Sequence, residues 1–293
     1  MDLRTFLADL DASGELKHVL ASTDPVFEVA RHIAAEDGQP LLFEQLAGYS
    51  GWRIASGYVA QRAHVARAIG CNVTALIERM TEALTSPSSP PLMEQAPCQE
   101  IVLPEVDLRK VPIPRYHPLD GGAYITAGVT VVHDPDLGQN LSFHRMMVRD
   151  PRHLTARIVE HRGTHTAWRK QLEGLPIAVC IGLPPHVLLA AAMSPAKGVD
   201  EATVAHALAP TPLVRATTVP LNIPAQAELV LEGVLTHELD QEGPFPDLTG
   251  TMDGVRQQPV FRVTAITHRR APTFHALLPA GLEPTTLIGT PRE

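Results

Sequence analysis

Along the first third of the chain, apolar residues recur at helical spacing. Asp2 stands where it can cap a helix over Leu3 to Leu10, and Asp24-Pro25 can open a second with Val26, Val29, Ala30 and Ile33 on one face. From Tyr58 to Leu84 the spacing of Val59, Ala63, Val65, Ile69, Val73, Leu76, Ile77 and Met80 predicts two more helical stretches meeting near Gly70. Prolines at 87, 90, 91 and 97 then interrupt the pattern and predict a linker over 86–97. Beyond it the texture changes to β-branched runs at 125–132, 141–148, 177–181, 213–219, 228–235 and 259–267, which predict strands. Helical patterns at 185–192 and 199–208 fall between them. This order is not a regular βαβ alternation, so the predicted class is α+β. A small helical, mixed α/β domain over 1–97 would precede a mixed sheet or split barrel over 98–293.

Composition narrows the function classes. Apolar residues make up 44% and charged residues 19% of 293, with no apolar run near the roughly 20 residues of a membrane span, so a soluble chain is expected. The first residues carry no basic stretch followed by an apolar one, which makes the cytoplasm the expected location. The net charge of −8 is dispersed, which disfavours nucleic acid as a partner. Cys71, Cys98 and Cys180 are isolated, against a disulfide framework or a thiolate zinc site. Neither a GxGxxG nor a GxxxxGK[ST] loop occurs.

Candidate chemistry lies in a few short segments. Glu242-Gly-Pro-Phe-Pro-Asp247 holds two carboxylates across a Gly/Pro stretch that cannot be a helix interior and is predicted to be a loop. Two acids held close together can have their pKa values pushed apart, as proton delivery requires; an acidic surface turn has the same pattern. In Asn140-Leu-Ser-Phe-His-Arg145, strand alternation puts Asn140, Ser142 and His144 on one face and Leu141, Phe143 and Arg145 on the other. An arginine sharing a face with Leu and Phe suits a carboxylate, from the protein or from a substrate. His161 is predicted to end a strand, with His165 four residues later, and no HExxH motif is present. Asp200 and Glu201 open a helix, where dipole and capping reasons alone would place them.

Taken in order, these segments resemble the UbiD family of decarboxylases. The matching stretches are Gly122 to Thr126, Val132 to Asp136, Asn140 with Arg145, His161-Arg-Gly163, Gly198-Val-Asp-Glu201, Val219 to Ala225, Glu228 to Gly233, Glu242-Gly-Pro-Phe and Pro259 to Thr267. The resemblance implies a flavin-binding split barrel using prenylated FMN, its phosphate held through manganese or magnesium with potassium nearby. Asn140, His161 and Glu201 would be the metal ligands, with His165 as the alternative imidazole; oxygen and imidazole donors suit those metals. Flavin contacts would fall on Phe143, His144, Arg145, Arg157, Ile158, Val159, Arg162 and Gly163. The implied catalytic trio is Arg145, Glu242 and Asp247. Arg145 would meet the substrate carboxylate and pair with Glu242, and Asp247 would supply the proton that replaces CO2.

The implied substrate is an aromatic, heteroaromatic or α,β-unsaturated carboxylic acid, with a flavin prenyltransferase supplying the cofactor and a homo-oligomer or a partner subunit as the assembly. Two departures stand out. Pro246 takes a position where the family commonly has glycine, and the chain stops at Glu293 where family members continue into a further domain. The second departure keeps an alternative open, a non-catalytic flavin-binding or assembly subunit; an ordinary flavin reductase on a split barrel rests on fold analogy alone.

Overall fold

The structure, a computed structural model, describes residues 1–292. Its first helix, Leu3–Ala12, begins where the sequence predicts: the Asp2 carboxylate accepts from Thr5 N at 2.9 Å, and Leu3, Phe6, Leu7 and Leu10 are buried. The second starts later than predicted, at Glu28–Ala35. Asp24 Oδ1 accepts from Val26 N at 2.8 Å and Phe27 has φ 68°, so the turn closes on itself and Val26 is left out of the helical face. Arg62–Ala68 and Leu76–Thr85 flank Gly70, where two helical stretches are expected.

Short strands that periodicity does not reveal join this region to the end of the chain. Lys17–Val19, Leu41–Phe43, Arg53–Ser56 and Thr273–His275 form a four-stranded sheet. The predicted linker is also more ordered than its prolines suggest, because Leu92–Met93 pairs in parallel with Leu213–Arg215.

Among the described residues the main sheet has nine strands, one of them the short Ile101–Val102 that pairs with Arg256–His268 off the main path, and the expected α+β organisation is the one observed. Its centre is the antiparallel pair Leu229–Glu242 and Arg256–His268, both longer than their predicted runs. Leu175–Ile181, Val129–Asp134 and Gly138–Phe143 follow on one side of the pair; His153–Ala156, Met146–Val148 and Tyr124–Ile125 follow on the other. The predicted run 141–148 is thus two strands interrupted at His144-Arg145. Gly138–Phe143 lies at one margin of the sheet and Met146–Val148 next to the other, yet only those two residues join them. Three Cα steps span at most about 11 Å, so the margins are drawn together and the sheet curls into a split barrel.

Alternation along Leu175–Ile181 separates the two packed faces. Ile177, Val179 and Ile181 pack with Leu154, Leu231 and Phe261, whereas Ala178 and Cys180 pack against helix Pro185–Ala192 and residues of the first helix. The helix Pro185–Ala192 has the predicted bounds; its neighbour, Glu201–Leu208, begins two residues later than predicted. Among the described residues no helix is long and apolar enough to cross a membrane.

Candidate active site

The interruption at His144-Arg145 turns two polar side chains towards the seam of the barrel. Arg145 leaves the strand's alternation and reaches Glu242, the last residue of the long strand Leu229–Glu242. The guanidinium donates from Nε to Oε1 at 2.8 Å and from Nη2 to Oε2 at 3.0 Å, a side-on fork. Glu242 has no exposed surface, so its charge needs that partner. Tyr124 Oη donates to Oε1 at 3.2 Å, and burial pushes the Tyr124 phenol well above its ordinary range, which keeps it a donor.

The sequence after Glu242 is not a free loop. Gly243-Pro244 is a cis peptide and Phe245–Pro246 pairs with Met252–Asp253. The backbone of this segment lies against Gly121, where an added Cβ would sit 2.2 Å from the Gly243 carbonyl oxygen, a position only glycine can fill. Phe245 stacks on Tyr124 at 3.9 Å between centroids and lies under the Arg145 guanidinium at 5.4 Å. A cleft of about 670 Å³ adjoins this wall, lined by Phe27, Tyr116, Pro246 and Leu278 among others, but Arg145 and Glu242 do not open into it.

The structure does not bring Asp247 to Arg145. Asp247 is exposed, and its Oδ1 accepts from Leu248 N at 2.8 Å within its own turn. The acid beside the arginine is Asp253, whose Oδ2 accepts from Arg145 Nη2 at 2.9 Å and whose Oδ1 accepts from Arg256 Nη2 at 2.6 Å. Hydrogen bonding from Arg256, reinforced by Arg145 against partial burial, holds the Asp253 carboxyl down at about 2. Arg157 Nε stands 3.9 Å from the same carboxylate. Sequence reasoning missed Asp253 and Arg256 because neither belongs to a recognisable motif. Tyr124 was within reach, since it sits in the Gly122 to Thr126 stretch.

The expected alternation holds on the polar face of Gly138–Phe143. Asn140 Nδ2 donates to Ser142 Oγ at 3.1 Å, and Ser142 Oγ lies 3.2 Å from His144 Nε2; Phe143 is half-buried on the opposite face. His144 is almost fully buried, with Nδ1 3.2 Å from the Arg157 carbonyl and Nε2 2.9 Å from Thr164 Oγ1. Those partners assign the proton to Nδ1, and burial pushes the imidazole down to about 4. The Glu201 carboxylate accepts from Leu141 N at 2.8 Å, beside Asn140, and burial pushes it up to about 7 although that donor opposes the shift. A Cβ added at Gly163 would lie 3.0 Å from Asn140 Oδ1.

Thus Asn140 and Glu201 converge on one strand, with Gly163 opposite. His161 does not end a strand as predicted: the strand stops at Ala156, and His161 lies exposed at φ 62° just before helix Gly163–Lys170. Its backbone N–H donates to His165 Nδ1 at 3.4 Å, and the two rings are 5.8 Å apart. Among the described residues no three His, Cys, Asp or Glu side chains gather as a metal cluster, but this set counts an asparagine. The two acidic and amide oxygens and the space left by Gly163 fit a hard divalent ion with phosphate oxygens. Of the remaining implied flavin contacts, Ile158 is buried with its N–H donating to Gln258 Oε1 at 2.7 Å, and Val159 and Arg162 are exposed.

Comparison with known proteins bears on the fold and the family. Residues 7–84 match the 3-octaprenyl-4-hydroxybenzoate carboxy-lyase N-terminal domain, and residues 92–282 match the Rift-related domain of the same enzymes. Anhydromevalonate phosphate decarboxylase of Methanocaldococcus jannaschii is 35% identical over 94% of this chain. The match covers 65% of that protein, so the chain spans about two thirds of its relative's length. An evolved dimeric form of the UbiD-class enzyme HmfF from Pelotomaculum thermopropionicum, solved with prFMN, is 38% identical; the match covers 100% of this chain and 71% of that one, with a TM-score of 0.96. Apo 3,4-dihydroxybenzoic acid decarboxylase (AroY) from Klebsiella pneumoniae is 28% identical, over 100% of this chain and 68% of that one, with a TM-score of 0.93. With the family's two domain models covering most of its length, the chain belongs to the UbiD family.

Proposed function

We propose that the chain carries the cofactor site and acid-recognising centre of a non-oxidative carboxy-lyase acting on an aromatic, heteroaromatic or α,β-unsaturated acid. The observation that carries this reading is the buried Arg145–Glu242 fork at the barrel seam, with Asn140 on the strand Gly138–Phe143 and Glu201, at the start of its helix, bonded to that strand. Arg145 receives the substrate carboxylate while Glu242 fixes its guanidinium. Asn140, Glu201 and His161, with His165 as the alternative imidazole, would hold manganese or magnesium against the phosphate of prenylated FMN, with potassium nearby. Prenylated FMN would supply the electron sink that side chains lack. The bond from the carboxyl carbon breaks, CO2 leaves without the electron pair, and a proton from Asp247 converts that pair into a C–H bond. Asp247 is then reprotonated from solvent, which its exposed turn allows. The relatives named for decarboxylation of anhydromevalonate phosphate and of 3,4-dihydroxybenzoic acid support the reaction class without choosing the substrate. A cytoplasmic enzyme served by a flavin prenyltransferase, and assembled as an oligomer or with a partner subunit, completes the proposal.

Reconstitution tests it. The chain incubated with prenylated FMN should retain the cofactor through gel filtration with manganese present and lose it with a chelator, read by visible absorbance and mass spectrometry. Equal retention with and without metal, or none in either case, would refute the cofactor site.

A further inference from the structure

Arg145 has three nitrogens and they are not equivalent. Nε donates to Glu242 Oε1, and Nη2 donates to both Glu242 Oε2 and Asp253 Oδ2. Both Nη2 hydrogens are therefore spent within the protein. Nη1 makes no hydrogen bond among the described residues. One face of the guanidinium is covered by Phe245. Asp253 is held in place independently of Arg145, because Arg256 takes its other oxygen and the backbone register sets it opposite Phe245.

An arginine binds a carboxylate most tightly through two parallel N–H bonds, along either the Nε/Nη2 edge or the Nη1/Nη2 edge. Glu242 fills the first edge. Asp253, by taking the outer Nη2 hydrogen, blocks the second. An incoming carboxylate can then use Nη1 alone. For an acid that must leave as neutral CO2, this matters: a bidentate ion pair stabilises the charged carboxylate, which is the ground state, and the attraction is lost as the charge leaves it. Three guanidinium groups, Arg145, Arg157 and Arg256, surround two carboxylates, Glu242 and Asp253, so the cluster still carries one surplus positive charge to attract one carboxylate.

We infer that Asp253 is a positioning residue that caps the Nη1/Nη2 edge of Arg145, so that the carboxylate of an organic acid is held through one nitrogen instead of two. The inference rests on reading Arg145 as the partner of the acid. It makes an unusual demand, that removing a carboxylate from the site should tighten ligand binding and slow turnover.

The test uses the whole chain without cofactor and sodium crotonate as the probe. Binding is followed through the Arg145 Nε–Hε signal in 15N spectra, assigned by its loss in Arg145→Lys. Asp253→Ala opens the edge and should bind crotonate about tenfold more tightly, the step that about 1.4 kcal/mol produces. Asp253→Asn keeps an oxygen for Nη2, so it should tighten binding by only about threefold, less than the tenfold step. Equal tightening in the two variants would mean that charge alone matters and would overturn the edge-capping role. Unchanged or weaker binding in Asp253→Ala would overturn it too. In reconstituted enzyme that turns over an acid, Asp253→Ala should lower KM and kcat together, whereas a merely structural residue would raise KM or leave it unchanged. Failure of the wild-type chain to release CO2 would count against the proposed reaction and leave the crotonate result to decide on Asp253.

Discussion

The two halves of the candidate site are built differently. Arg145, Glu242, Tyr124, Asn140 and Glu201 are held on or beside strands of the barrel, and Glu242 and Glu201 are 0% and 7% exposed. His161 and Asp247 sit on exposed turns and touch mainly their own neighbours. A charge taken out of water has to find its partners as the chain folds, or the fold fails. A charge left in water has no such obligation, so its position is free to be set by whatever arrives. The strand-held half is therefore complete in the protein alone, while the turn-held half has polar groups close at hand but not assembled around a common point.

The sharpest way to break this comparison is to remove one charge from each half. Arg145→Ala leaves Glu242 buried without its counter-ion and should cost about 3–5 kcal/mol in urea unfolding, whereas Asp247→Ala should fall within about 0.5 kcal/mol of wild type. Equal losses would show that the halves do not differ. At Glu201 the comparison can be sharpened by splitting fold from ligand. Glu201→Ala leaves the Leu141 N–H without its acceptor and should cost about 1–3 kcal/mol. Glu201→Gln keeps an acceptor, so stability should stay near wild type while manganese affinity, measured by electron paramagnetic resonance, falls more than about tenfold.

Acid probes two buried imidazoles, His144 beside the strand-held half and His186 in the helix Pro185–Ala192. Burial holds His144 at about 4 and His186 at about 3, against 6.5 for an ordinary imidazole. Their folded values lie below the unfolded one, so the unfolded chain binds the extra protons. The stability they contribute is present above pH 6.5 and is lost as pH falls towards about 4 for His144 and about 3 for His186. Each should add up to about 1.4 kcal/mol per pH unit to the slope, and His144→Gln should flatten the curve by one such share. The smallest effect concerns Gly163. A methyl group there would press on Asn140 Oδ1, so Gly163→Ala should weaken manganese binding by a few-fold, on the order of 1 kcal/mol, and leave the unfolding midpoint nearly unchanged.

How much of this was legible in the sequence follows the same division. The helix Pro185–Ala192 and the strand Leu175–Ile181 were readable because continuous apolar runs bounded by turn residues leave few alternatives. The strands Lys17–Val19, Leu41–Phe43 and Thr273–His275 were not, because three residues carry no usable period and the partner of Arg53–Ser56 comes from the far end of the chain. Helix Gly163–Lys170 escaped notice for another reason: only Thr164, Ala167 and Trp168 are buried, and the remainder is polar. Arg145 could be singled out by its apolar strand face, but its bonds to Glu242 and Asp253 span 97 and 108 residues of sequence. No local pattern encodes them. The resemblance to a known family placed Glu242 and Asp247 in one centre, and the structure sets Asp253 beside the arginine with Asp247 turned to solvent.

The proposed role of the Arg145–Glu242 fork is in decarboxylation with a metal-held prenylated flavin. The most direct measurement is release of CO2 from a panel of carboxyl-labelled acids, including anhydromevalonate phosphate and 3,4-dihydroxybenzoic acid, by the reconstituted chain beside its Glu242→Gln variant. The wild-type chain should release CO2 from at least one acid and, with cofactor still bound, Glu242→Gln should lose at least about 100-fold, in line with the weight of such electrostatic positioning. Undiminished release by the variant would contradict that role.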